Sequence, residues 1–230
     1  MTGGKLLNHA VLLLEASVNI YSMLIHPSEH SFNKELFSAA NAVFADSGHT
    51  VKTIDLYHSQ FDPRELTNNI VNLSNSSYDQ KWTRAEKLDL LPEFTIRELE
   101  KLKECDILYI QSPIWLWSPP AILKSYMESV FIFNTVFTTP HHAFDTTLPF
   151  RLFKGKRVIL SLTASASEEM MLQNFRDKHE LLVHLKNVFE LVGFEFIDPF
   201  IAWEQNGESD HRTTDINNLC NYIQSTVLKD

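Results

Sequence analysis

The sequence predicts an α/β protein built on a doubly wound, five-stranded parallel sheet. Five short apolar runs alternate with stretches of helical period, the pattern of helices packed on both faces of such a sheet. The central run, Ile107–Ile110, is apolar without alternation, as expected of a strand covered on both sides. The chain also opens as strand, loop, helix and strand, in a span that suits one right-handed crossover.

Val18–Ile25 reads as the first strand, followed by the loop HPSEHSFN. From Asn33, the apolar positions Leu36, Phe37, Ala40, Val43 and Phe44 fall on one helical face, and Gly48 is a natural stop. Val51–Leu56 is the second strand. Tyr57–Leu91 is rich in Asn, Ser and Asp and too long for an ordinary connection, so it is expected to be an inserted lid or interface arm. A charged helix over Glu93–Glu104 leads to the strand at Ile107, and a helix over Pro120–Phe131 follows. After an irregular Asn134–Phe153 come a strand at Arg157–Leu162 and a helix at Leu181–Leu191 closed by Gly193. A fifth strand over Phe194–Ile201 and a helix over Thr213–Leu228 complete the order. Residues 1–18 read as an N-terminal helical extension, with Leu7, Val11 and Leu14 on one face. Residues 19–230 read as a single domain with the insertion at 57–91.

Composition narrows the function. The 230 residues are 44% apolar, enough for a real core, and carry 20 basic against 29 acidic side chains, a formal charge of −9. That balance argues against a nucleic-acid surface, which needs clustered Lys and Arg. Cys105 and Cys220 stand far apart in no CxxC arrangement, so no disulfide framework is expected and the cytoplasm is the default compartment. No apolar run is long enough to span a membrane; Ala10–Ile25 comes nearest, interrupted by Glu15 and Asn19. His141-His142 lacks partners at ligand spacing, so no metal site is expected. Neither a Gly-rich phosphate loop nor G-x-S-x-G is present, and no catalytic acid, base or nucleophile is assigned.

In an open parallel sheet, ligands sit beyond the carboxyl ends of the strands. Three such ends carry informative loops. After Ile25, HPSEHSFN offers His26 as a donor, Ser31 and Asn33 as caps or donors, and a helix start whose N–H groups favour an anion. After Ile110, Gln111–Phe131 reads QSPIWLWSPPAILKSYMESVF. Here Pro113, Ile114, Trp115, Leu116 and Trp117 can form a flat apolar platform for a planar aromatic ligand, or a buried aromatic turn that only packs. After Leu162, the small residues Thr163, Ala164, Ser165 and Ala166 let a ligand approach the backbone.

With these segments in hand, together with Phe61–Pro63 and GFEFIDPFIAW, the chain resembles the flavodoxin-like NAD(P)H:quinone reductases from about Asn19 to the C-terminal helix. The long tract at Gln111–Phe131 is the specific match. The resemblance implies a flavin at the carboxyl edge of the sheet, FAD as first choice and FMN as second. His26, Phe32 and Asn33 would lie at its phosphate end, and Ile114–Trp117 against its ring. Thr163–Ala166 would stand at the family's TTGG loop, with Ser165 and Ala166 in place of the glycines. Val136, Phe137 and Thr138 fall where the family surrounds the second ligand, and a homodimer is implied. The expected activity is hydride transfer from NAD(P)H through the flavin to a quinone or similar planar acceptor, in a ping-pong cycle. The alternatives are an azo or nitro reductase on the same scaffold, and a regulatory binding subunit with little turnover.

Overall fold

The computed structural model describes residues 17–64, 91–132, 135–137, 151–205 and 211–228. The expected N-terminal helix, most of the 57–91 insertion, Thr138 and His141-His142 lie outside them. The strands are β1 (Asn19–Leu24), β2 (Thr50–Asp55), β3 (Ile107–Pro113), β4 (Arg157–Thr163), β5 (Glu195–Phe196) and β6 (Phe200–Ala202). The helices are α1 (Phe32–Asp46), α2 (Glu93–Glu104), α3 (Ala121–Val130), α4 (Glu168–Leu172), α5 (Lys178–Leu181), α6 (Val183–Val192) and α7 (Arg212–Tyr222), and a π-helical turn over Ile223–Val227 extends α7.

Every strand pair is parallel, in the order β2-β1-β3-β4, with β5 and β6 both on the outer side of β4. The expected continuous fifth strand is therefore broken in two. Arg157 and Val158 pair with Glu195 and Phe196, whereas Ser161 pairs with Phe200. Ile197, Asp198 and Pro199 thus oppose only Ile159 and Leu160. This is a bulge, and it falls where Pro199 has no N–H to give to a ladder. The helix expected over Leu181–Leu191 is likewise two helices, because Asp177 caps a separate short turn, accepting from the Glu180 N–H at 2.8 Å.

Alternation along the strands sends side chains into two apolar layers. Tyr21, Met23, Leu108, Ile110, Val158, Leu160 and Leu162 join α2, α3 and α6 on one face. Ile20, Leu24, Ile107, Tyr109 and Ile159 meet α1 and α7 on the other. All seven residues of β3 are buried, so the sequence reading of a doubly covered central strand holds. It runs three residues further than expected, to Pro113, the last residue of the strand, where a missing N–H is tolerated. Glycine is required at the end of α6. Gly193 has φ +111, and a Cβ there would meet the Lys154 nitrogen at 2.7 Å.

One charge is buried in the α2–α3 layer. Glu98 is 1% exposed and accepts from the Tyr21 hydroxyl, from the Tyr126 hydroxyl at 3.0 Å and from Lys101 Nζ at 2.7 Å. Three donors on one carboxylate satisfy the condition under which a buried charge is tolerated. Burial first, and the Glu98 charge second, raise the pKa of both phenols above its ordinary value of 10.0.

Replacing Gly193 by alanine is expected to lower unfolding stability by at least about 1 kcal/mol in urea titrations, since both the backbone angle and the space oppose a Cβ. Each phenol holds its proton more tightly folded than unfolded, so its contribution is intact below pH 10 and drains away as pH rises beyond it. Stability measured between about pH 8 and about pH 11 should therefore fall. The fall should be shallower in Tyr126→Phe, and an unchanged slope would show that this site does not control alkaline unfolding.

Candidate functional site

The order β2-β1-β3-β4 makes the connections from β1 and β3 leave in opposite directions, which opens a crevice beyond the carboxyl ends of these two strands. A cleft of about 240 Å³ occupies that place. Its walls come from the tips of β1, β3 and β4: His26, Ser31, Phe32 and Asn33; Pro113, Ile114 and Trp115; Thr163, Ala164 and Ser165. The three loops singled out in the sequence are thus brought together. Gln205 and Arg212 complete the lining and were not anticipated. The rule that locates ligands at strand tips reaches them too, because Gln205 follows β6 and Arg212 opens the next helix.

Ser31 caps α1, its hydroxyl accepting the Lys34 N–H at 3.2 Å. The first N–H groups of this 15-residue helix have no acceptor within it, which makes its start electropositive. His26 Nδ1 lies 3.0 Å from the Ser28 nitrogen and 3.2 Å from the Ser28 carbonyl oxygen, contacts that tie the ring to its own loop in either tautomer. Arg212 lies over the Phe32 ring at 5.3 Å and approaches Glu35 at 3.3 Å. Among the described residues, none lining the cleft is acidic.

The Trp115–Ser118 segment is a tight hairpin turn. The Trp115 N–H donates to the Ser118 carbonyl at 2.7 Å and the Ser118 N–H returns to the Trp115 carbonyl at 3.1 Å. Leu116 and Trp117 both have positive φ, +52° and +64°, the backbone of a type I′ turn that normally calls for Asn or Gly. Two bulky residues held there store strain. The turn is braced from outside by the Trp117–Phe175 ring contact at 5.5 Å and by Ser118 Oγ against His184 Nε2 at 3.3 Å. Burial lowers the pKa of His184, which favours the neutral ring.

The reversal divides the expected platform. Trp115, 45% exposed, faces the cleft edge-on to His26, with ring centroids 6.1 Å apart. Trp117 turns away to pack against Phe175 and the core, and Leu116 stands 98% exposed at the tip. A single flat surface of both indoles is not formed, because consecutive residues of so tight a turn cannot face the same way.

Asn33 also departs from expectation. Its side chain neither caps α1 nor points to solvent. Nδ2 donates to Thr163 Oγ1 at 2.9 Å, while Oδ1 accepts from Gln111 Nε2 at 2.9 Å. Gln111 Oε1 in turn accepts the Tyr109 hydroxyl at 2.8 Å. The floor of the cleft is therefore tied through buried polar groups to β3 and β4.

The loop after β4 is fixed by backbone bonds to the segment after β6. Ala164 N–H donates to Ala202 O at 2.9 Å, Gln205 N–H to Ala164 O at 2.8 Å, and Glu204 N–H to Ala166 O at 3.0 Å. Neither Ser165 nor Ala166 has positive φ, so the absence of glycine there strains nothing. Ala166 does not line the cleft. Val136 is fully buried and Phe137 packs against the core, so neither reaches the cleft, while Thr138 lies outside the described residues.

A second cleft, of about 220 Å³, lies at the amino end of β1 and β2. Its lysines are already paired, Lys52 with Glu104 at 2.6 Å and Lys101 with Glu98 at 2.7 Å, and burial pushes the Cys105 thiol up to about 11. Nothing in it is poised for chemistry. Among the described residues no cluster of three or more His, Cys, Asp or Glu could hold a metal, and no helix is long and apolar enough to cross a membrane.

The family model described as Flavodoxin-like fold matches residues 19–225. Ribosyldihydronicotinamide dehydrogenase (quinone) of Mus musculus is 31% identical over 159 residues, 67% of this chain and 67% of that protein. The Homo sapiens protein of the same name is 27% identical over 195 residues, 82% of each chain. Among solved structures, the NAD(P)H:quinone oxidoreductase from Methanothermobacter marburgensis superposes with a TM-score of 0.67 at 21% identity, covering 90% of this chain and 96% of that one, a likeness that bears on the fold. By the span of the family match and the identity to the mouse relative, the chain belongs to the flavodoxin-like NAD(P)H:quinone reductases.

Proposed function

We propose that the cleft binds FAD, with FMN as the second choice, and that the protein is an NAD(P)H-dependent reductase of quinones or similar planar acceptors. The observation that carries this reading is one cleft that joins a cation, a capped helix start and an indole. Arg212 and the α1 N-terminus suit the phosphate of a flavin nucleotide. Trp115, Ile114 and Pro113 offer apolar surface to its ring, and the Ser165 and Thr163 region offers donors to the ring's polar edge. The donor set fits the group: among the described residues no carboxylate lines the cleft to repel an anion, and Glu35 reaches only the outer side of this set, through Arg212 at 3.3 Å.

When bound, the flavin supplies the two-electron chemistry, taking hydride from NAD(P)H and passing it to the acceptor. The chain's own residues bind and orient. His26 is tied to the Ser28 backbone through Nδ1, which leaves Nε2 as the ring nitrogen available to a ligand. Arg212 supplies positive charge beside Phe32, and the braced Trp115 turn holds one wall in place. The backbone bonds between residues 164–166 and 202–205 keep the small-residue loop from collapsing into the cleft.

A homodimer is proposed as well, because Trp115, Leu116, Met170, Leu172 and Val183 are exposed apolar residues on segments that brace or adjoin the turn. Their burial by a second copy would remove this apolar surface from water next to Trp115, the one of the five that lines the cleft. Sedimentation at micromolar protein reads this directly, and a monomer throughout would remove the dimer from the proposal.

Purified apoprotein is expected to take up FAD or FMN stoichiometrically and then to oxidise NAD(P)H only when a quinone is supplied. Failure to take up either flavin would favour the regulatory binding subunit. Uptake with much faster turnover of azo or nitro compounds would move the substrate assignment. Arg212→Ala is expected to weaken FMN and FAD by about tenfold or more while leaving riboflavin almost unaffected, since only the phosphate contact is lost. Equal losses for all three flavins, measured by fluorescence titration, would remove Arg212 from the phosphate site. Trp115→Ala should reduce flavin affinity across all three ligands, and normal flavin content together with normal steady-state rates would refute its place at the ring.

A further inference from the structure

We infer that Tyr109 and Gln111, neither of which lines the cleft, fix Thr163 as a hydrogen-bond donor toward an acceptor atom of the bound flavin. The inference rests on the flavin reading above and adds two positioning residues to it. Tyr109, Gln111, Asn33 and Thr163 form an unbroken chain of side-chain hydrogen bonds, with donor–acceptor distances of 2.8, 2.9 and 2.9 Å. All four residues are buried: Tyr109 and Gln111 are at 0% exposure, and Asn33 and Thr163 at 5%.

The direction of the chain is that of its two amides as they stand in the structure. Gln111 turns its oxygen toward Tyr109, whose hydroxyl donates to Oε1. The amide of Gln111 is thereby oriented, so its NH₂ group faces Asn33 Oδ1. That orients Asn33 in turn, and its NH₂ donates to Thr163 Oγ1. A threonine hydroxyl that accepts on this side still has its own proton to give. No bond donated by the Thr163 hydroxyl is found among the described residues, and Thr163 lines the cleft. Buried dipoles aligned head to tail reinforce one another, which strengthens the terminal donor. Burial raises the Tyr109 pKa, so the phenol keeps its proton and the sense of the chain is the same across the working pH range. The cleft consequently favours an acceptor at this point, such as a ring carbonyl, a ring nitrogen or a side-chain oxygen of the flavin.

The test titrates apoprotein with riboflavin and with lumiflavin, which has the ring but no side chain, and records affinity and the position of the long-wavelength absorption band. Thr163→Val and Tyr109→Phe are each expected to weaken binding by about three- to tenfold, the loss of one hydrogen bond. Both should move the band in the same direction, and Thr163→Ser should restore both values. The double variant should lose no more than Thr163→Val alone, because Tyr109 acts only through that hydroxyl. Losses retained for lumiflavin assign the acceptor to the ring, and losses confined to riboflavin assign it to the side chain; either supports the donor role. Additive losses, or a folded Tyr109→Phe with wild-type affinity and band position, would overturn the inference. Should Tyr109→Phe fail to fold, Gln111→Met breaks the same chain one step later and is read by the same criteria. If the wild-type apoprotein binds neither flavin, the flavin reading itself fails and takes the inference with it, an outcome distinct from an insensitive Tyr109→Phe.

Discussion

The parallel register of β3 between β1 and β4 is the constraint on which the rest depends. Leu24 is level with Gln111, and Gln111 with Ser161, so three strands end at nearly the same height. Loops from distant parts of the chain then have no choice but to meet. The Ile25 N–H on the Gln111 carbonyl at 2.8 Å and the Ile114 N–H on the Thr163 carbonyl at 2.7 Å extend the same ladder into the loops. The site is therefore an extension of the sheet, and its precision is inherited from backbone pairing buried on both faces.

The α1 face of the sheet changes character along its length. Near the amino ends it is Ile20, Ile107 and Ile159; toward the tips it becomes Ser22, Tyr109, Gln111, Ser161 and Thr163. A purely apolar continuation would pack as well and offer a ligand nothing. The polar end is satisfied in part: the Asn33 amide bonds on both sides, to Gln111 and Thr163, while the buried Ser22 and Ser161 hydroxyls find no partner among the described residues. The buried Glu98 on the opposite face answers the same demand with two phenols and an ammonium. Each layer thus contains one cooperative polar cluster, one near the cleft and the other remote from it.

Much of this was legible in the sequence. The apolar runs marked the strands, Gly48 and Gly193 marked helix ends, and the loops after Ile25, Ile110 and Leu162 do share one cleft. What escaped was whatever periodicity cannot encode. The bulge at Ile197–Pro199 depends on register with a neighbouring strand, and the opposed fates of Trp115 and Trp117 depend on the sign of two backbone angles. Asn33 looks like a cap because its position permits it, yet a partner 130 residues away determines its orientation. Arg212 was hidden for a related reason: a lone basic residue at a helix start carries no pattern, and only the tertiary fold sets it beside Phe32.

Leu116 projects almost wholly into solvent at the apex of the Trp115–Ser118 hairpin. Its side chain is held by no packing, but its backbone is held by the turn, with φ at +52°. The constraint at this position is thus on chain geometry alone, so that asparagine or glycine there relieves strain while leaving both cores and the ladder untouched.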